Sequence, residues 1–181
     1  MISISSLRDL SLALIGAGAL TFAATAQAPN DVRIALIIGN SAYPGDMALA
    51  NPSNDAKDMA ATLRNMGFGV IEVRDGSRAQ MLDGIERANK LLQGKQGVGM
   101  LFYAGHGLQL DWRNYMVPVD AQLNSANDVP RATVDIEVAM KSFQAAGNRM
   151  NIVVLDACRD NPFADGKTAS GKGLAPLDAP T

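Results

Sequence analysis

The chain has 181 residues, a size typical of one domain, and its 48% hydrophobic content is that of an ordinary globular protein. Its net charge of −2 gives no electrostatic case for binding to nucleic acid or to an anionic membrane, and one Trp and five Phe offer few rings on which bases could stack. With one Cys and one His, the sequence predicts neither a zinc site nor a disulfide within the chain.

Residues 1–28 have the pattern of a signal peptide. A short polar start precedes an apolar stretch at residues 10–22, and Ala-Gln-Ala at 26–28 fits the small-x-small cleavage rule. Asp9 offsets the charge of Arg8, and an uncleaved membrane anchor is the alternative. The apolar stretch is shorter than the roughly 20 residues that a spanning helix needs. We therefore expect an exported protein, periplasmic or secreted, with no stable membrane span after cleavage.

Predicted strands alternate with predicted helices along the rest of the chain. Apolar runs at 33–39, 69–73, 97–104 and 151–156 predict strands, and helical spacing predicts helices over 53–66, 77–92 and 134–146. The residues predicted to face inward are Ala56, Met59, Ala60, Leu63, Met66, Met81, Ile85, Ala88, Leu92, Ile136, Ala139, Met140 and Phe143. Ser53 is the predicted N-cap of the first helix. The pattern predicts an α/β fold, a parallel sheet between helices, with ligands bound at the carboxyl edge of the sheet.

Two segments fall outside this alternation. Residues 108–116 predict a small hairpin turning at 111–114, followed by a polar loop over 122–131, and this excursion is expected to overhang the carboxyl edge. Residues 164–181 are rich in Gly, Ala, Pro and Lys and lack periodicity, which predicts a linker or a truncated C-terminal segment. Lys167 and Lys172 within it are interpreted as solubilising charges rather than as sites of self-processing.

His106 and Cys158 are the chemically distinctive residues. Either one alone is more often a packed or surface residue than a catalyst. Here each follows a predicted buried strand, Gly105 and Gly107 flank the histidine as in a tight turn, and charged residues surround the cysteine. A thiol and an imidazole at one sheet edge are the minimum equipment of a cysteine hydrolase. Pairing of Cys158 with another chain is the alternative.

The paired motifs Tyr103-Ala-Gly-His-Gly107 and Asp156-Ala-Cys-Arg-Asp160 resemble those of the caspase-like peptidases, over residues 33–163. The aspartate two residues before the cysteine is a feature in which the chain resembles the metacaspase and paracaspase branch of this family. The longer sequence Asp-Ala-Cys-Arg-Asp-Asn-Pro-Phe resembles that of the bacterial members of the branch. The resemblance implies a catalytic large-subunit domain over residues 29–163. It implies Cys158 as nucleophile, His106 as base and acid, and the N–H groups of Gly107 and Cys158 as the oxyanion hole.

The same resemblance implies a pocket for a basic P1 residue. In metacaspases this pocket is lined by two acidic residues, one located two residues before the cysteine and one in an Asn-Asp-Ala sequence. The matching residues here are Asp156 and Asp55. The region matching the aspartate-binding part of caspases, residues 47–55, contains no arginine. The alternative interpretation is that Asp55 only stabilises the first turn of its helix. The acidic residues that could bind calcium are too scattered along the sequence to predict a calcium site, and no sequence motif indicates another cofactor.

We therefore predict an exported cysteine endopeptidase that cleaves peptide or protein substrates after Arg or Lys. The family completes its substrate cleft with small-subunit strands, which the sequence to Thr181 does not contain. A further segment or partner chain is therefore expected. The alternatives are a non-catalytic or partner-dependent module of the same fold, and another thiol hydrolase on a similar sheet.

Overall fold

A computed structural model describes residues 31–159 of the chain, with Cys158 and Arg159 described by their backbone alone. The strands are β1 (Asp31–Gly39), β2 (Gly69–Arg74), β3 (Gln96–Leu110), β4 (Arg113–Met116), β5 (Val134–Asp135) and β6 (Met150–Arg159). The helices are α1 (Pro52–Asn65), α2 (Arg78–Leu92), α3 (Val129–Ala132) and α4 (Ile136–Ala145), with 3-10 turns at Gly45–Met47 and Ala126–Asp128. The predicted signal peptide and the segment 164–181, with Lys167 and Lys172, lie outside the described residues.

Four strands form the parallel core that the alternation predicts. β1 pairs with β2 and β3, and β3 pairs with β6, all in parallel. Residues 34–38 of β1 are all buried, as expected for a central strand with helices on both faces. α1 covers one face of the sheet, and α2 and α4 cover the other. The α/β fold class is confirmed.

The sheet is mixed rather than wholly parallel, because β4 and β5 run antiparallel beyond the core. Asp111 and Trp112 have φ of 49° and 62°, which is the two-residue turn that suits the twist of a hairpin. The predicted hairpin is confirmed, with a tighter turn than residues 111–114. Its residues Leu108 and Tyr115 pack with Tyr43 from the loop after β1, at the carboxyl edge.

Several local predictions are wrong for identifiable reasons. The third strand does not end at residue 104 but continues to Leu110, because β4 provides a new partner. The predicted tight turn around His106 is therefore extended strand. Ser53 is not the N-cap: α1 begins one residue earlier, and the N–H of Ser53 donates to the hydroxyl of Ser41 at 2.8 Å. Met66 follows the end of α1 and is 57% exposed.

The predicted helix faces are otherwise observed. The buried members are Ala56, Ala60, Leu63, Met81, Ile85, Ala88, Leu92, Ile136, Ala139 and Phe143, and Met59 and Met140 are partly buried. Ser77 caps α2 by accepting the N–H of Gln80, whose side chain accepts the N–H of Ser77 in return. The predicted polar loop over 122–131 contains the second 3-10 turn and the start of α3.

Candidate functional site

The register of β3 and β6 brings the two distinctive residues together. His106 is paired with Cys158, and the pairing continues one residue further to Gly107 and Arg159. Paired residues of neighbouring strands lie about 5 Å apart. Both residues stand beyond Gly39, the last residue of the adjacent β1, so they lie at the carboxyl edge of the parallel core.

The imidazole of His106 is held by the loop between β1 and α1. Its Nε2 lies 2.7 Å from the carbonyl oxygen of Met47, in the 3-10 turn Gly45–Met47. A carbonyl oxygen only accepts, so Nε2 carries the hydrogen of this bond. In the neutral imidazole this leaves the lone pair on Nδ1. The site therefore holds a histidine whose tautomer is set by a backbone group.

Two buried or half-buried polar side chains fix this loop. Asn40 is fully buried, accepts the N–H of Gly76 at 2.9 Å and donates to the carbonyl of Val117 at 3.1 Å. Asp75, directly after β2, accepts the N–H groups of Ser41 and Ala42 at 2.7 and 2.8 Å. Carboxylate bonds to two successive N–H groups hold a loop firmly, so the Met47 carbonyl is presented by an ordered segment.

The peptide between His106 and Gly107 has a defined direction. Its carbonyl accepts the N–H of Val117 at 3.0 Å, on the β4 side of β3. In a trans peptide the N–H points opposite to the carbonyl, so the N–H of Gly107 is directed to the β6 side, where Cys158 lies. On that side the register pairs Gly107 with Arg159 of β6.

Asp156 is exposed and lies on the α1 face of the sheet. It is paired with Ala104, two residues before Cys158. Val154, two residues earlier on β6, packs with the buried side chains of α1. Because strand residues alternate between faces, Asp156 shares that face. No neighbouring cation is recorded for this carboxylate among the described residues.

Asp55 is also exposed and stands in the first turn of α1. The beginning of α1 adjoins the end of β1, where a Cβ on Gly39 would overlap the carbonyl oxygen of Pro52. Asp55 is therefore at the same edge and on the same face as Asp156, although no direct contact between the two is recorded. Its position also suits the interpretation that it stabilises the helix N-terminus.

Four residues of this site were not singled out from the sequence. They are Asn40, Tyr43, Met47 and Asp75, all in the segments that follow β1 and β2. Their positions just after predicted strands were the available signal, since such segments meet at the carboxyl edge. Met47 acts through its carbonyl, which no side-chain pattern reports.

Within residues 31–159, no group of three or more His, Cys, Asp or Glu side chains is arranged to hold a metal ion. The helices of this part of the chain are also too short or too polar to cross a bilayer.

Comparison with known proteins identifies related sequences. A family model described as the caspase domain, peptidase C14, matches residues 32–176. The mouse (Mus musculus) mucosa-associated lymphoid tissue lymphoma translocation protein 1 homolog is 31% identical over 129 residues, which cover 70% of this chain. The human (Homo sapiens) protein of the same name matches with the same identity and coverage. The chain spans about 15% of the length of these two relatives.

Proposed function

Because this chain belongs to the caspase domain family, we propose that it is a cysteine endopeptidase that cleaves peptide bonds after Arg or Lys. The observation that carries the proposal is the β3–β6 register, which pairs His106 with Cys158 at the carboxyl edge. A nucleophile and a base on adjacent, fully paired strands are held in fixed relation. Family membership and the caspase-like fold do not depend on this proposal.

The proposed reaction follows from the orientation of the imidazole. Nδ1 of His106 takes the proton of the Cys158 thiol, and the sulfur attacks the scissile carbonyl carbon. The family resemblance assigns the stabilisation of the negative charge on the carbonyl oxygen to the peptide N–H groups of Gly107 and Cys158. His106 then gives the proton to the leaving amine, whose C–N bond breaks as a thioester remains. Water hydrolyses the thioester and restores the thiol. The bond from Nε2 to the Met47 carbonyl stabilises the imidazolium formed between these steps.

Labelling of Cys158 by matched peptide chloromethyl ketones tests the activity and its specificity together. We expect the P1-Arg reagent to label Cys158 of the 181-residue chain at least roughly tenfold faster than the P1-Asp reagent, a difference of about 1.4 kcal/mol. Intact mass and peptide mapping identify the labelled residue, with Cys158→Ala as the control. Faster labelling by the P1-Asp reagent would contradict the proposed specificity.

Asp156→Asn is expected to remove most of the preference for arginine. The change keeps the shape of the side chain but removes a charge that would face the guanidinium, so the P1-Arg labelling rate falls roughly tenfold or more. The exposed position of Asp156 means that the melting temperature stays near that of the wild type. Asp83→Asn is the matched control, because Asp83 is 63% exposed on α2, which covers the opposite face. An unchanged P1-Arg rate in Asp156→Asn contradicts the assignment of this pocket.

Asp55→Asn separates the two interpretations of that residue. A pocket residue lowers the P1-Arg rate in this variant. A residue that only stabilises α1 leaves the rate unchanged and lowers the free energy of unfolding by about 0.5 kcal/mol.

A second candidate function is a caspase-fold module that needs a partner segment. Among the described residues β6 pairs with β3 alone, and Met150 and Ile152 on it are 52% and 39% exposed. A ten-residue strand with one unpaired edge is a template for a further strand. This function is favoured if neither chloromethyl ketone labels the protein while iodoacetamide still alkylates Cys158.

A further inference from the structure

On one of its two edges, strand β3 changes from one partner strand to another at His106. It pairs with β1 up to Ala104 and with β4 from Gly107, so neither strand is paired with His106. The carbonyl of His106 accepts the N–H of Val117 at 3.0 Å and the hydroxyl of Tyr103 at 2.5 Å. The N–H of His106 also requires a partner, because an unpaired peptide group in a half-buried position is costly.

The side chain of Tyr43 provides that partner. Its hydroxyl oxygen lies 3.0 Å from the backbone nitrogen of His106 and 2.9 Å from the carbonyl oxygen of Val117. A phenol has one hydrogen and a carbonyl only accepts, so Tyr43 donates to Val117 and accepts from His106. Burial raises the pKa of Tyr43 above its ordinary value, which keeps the phenol protonated at neutral pH.

The ring of Tyr43 also contacts the imidazole. The two ring centroids are 4.5 Å apart and the planes are tilted by 57°, a geometry that aromatic pairs favour. Gly105 leaves room for this arrangement, because a Cβ there would lie 2.8 Å from the hydroxyl of Tyr43 and 2.7 Å from that of Tyr103. One side chain thus holds both the backbone and the ring of His106.

We propose that Tyr43 is a positioning residue that restricts the imidazole of His106 to the orientation in which Nε2 donates to the Met47 carbonyl and Nδ1 carries the lone pair. The inference deepens the proposed function, and its catalytic consequence rests on that function. The orientation of the imidazole is measurable without turnover, so the two can fail separately.

The tautomer of His106 is the test, because His106 is the only histidine of the chain. Long-range ¹H–¹⁵N spectra of the full chain, labelled with ¹⁵N-histidine, report the tautomer without further assignment. In the wild type we expect the Nε2–H form. In Tyr43→Phe the His106 backbone loses its bond to the Tyr43 hydroxyl, so the bond from Nε2 to the Met47 carbonyl weakens and the ratio shifts roughly tenfold toward Nδ1–H. Tyr115→Phe, which removes a hydroxyl from the same apolar cluster, is expected to leave the ratio unchanged.

A tautomer ratio in folded Tyr43→Phe equal to that of the wild type overturns the proposal, and so does the Nδ1–H form in the wild type. If Tyr43→Phe does not fold, hydrogen exchange of the wild-type His106 amide decides. If the His106 amide exchanges much more slowly than the amides of an exposed loop, the bond to Tyr43 is supported. If it exchanges as fast as those amides, the proposal is overturned. A protein without peptidase activity that shows the expected tautomer shift contradicts the proposed function and supports the positioning role.

Discussion

Replacement of His106 by alanine is expected to lower kcat for hydrolysis of an arginyl peptide by about a thousandfold. Without the imidazole, the thiol of Cys158 has no base to take its proton and the leaving amine has no acid, and general acid–base catalysis contributes about 100- to 10,000-fold. Because the thiol and the imidazole act as a unit, the expected loss is similar to that of Cys158→Ala. Steady-state rates of the two variants and the wild type give the comparison.

The fold should survive this replacement. His106 is half-buried at the carboxyl edge of the sheet, and among the described side chains and backbone its imidazole has one hydrogen-bond partner, the Met47 carbonyl. Removal of that bond costs about 1 kcal/mol of unfolding free energy. A cooperative melt close to that of the wild type therefore accompanies the lost activity. A kcat within tenfold of the wild-type value contradicts the role of His106 as base.

Gly39→Ala is expected to lower the free energy of unfolding by about 3 kcal/mol, which corresponds to a melting temperature lower by roughly 10 °C. A Cβ at this position would overlap the carbonyl oxygen of Pro52 and the Cβ of Ala56, both in the first turns of α1. These atoms cannot move unless the helix moves. Because Asp55 is in the same turn, the variant should also lose reactivity toward the P1-Arg reagent.

Gly94→Ala is the control for this substitution. Gly94 has a φ of +70°, where a Cβ is unfavourable, but no atom lies within 4 Å of the added carbon. Its cost is therefore backbone strain of about 1 kcal/mol without crowding. Thermal unfolding of both variants separates the two effects. A Gly39→Ala variant no less stable than Gly94→Ala would show that α1 does not need to approach β1 so closely.

The candidate site was predictable in part. The apolar runs before His106 and Cys158, together with the alternation of strands and helices, place both residues near the carboxyl edge of one sheet. The aligned register of the two residues required the structure, since apolar runs do not state which residues pair across strands. The continuation of β3 to Leu110 also escaped prediction, because its second partner is a hairpin strand that follows it.

The sequence by itself determined the fold class, the inward faces of the helices and the two motifs that carry the family resemblance. Helical and strand periodicities are local, and the side-chain chemistry of a motif is read directly from its letters. Only the tertiary structure brought Tyr43 and the Met47 carbonyl to His106, across about 60 residues of chain. Contacts of this kind depend on a fully packed loop and on backbone atoms, which every residue possesses and which no sequence pattern distinguishes.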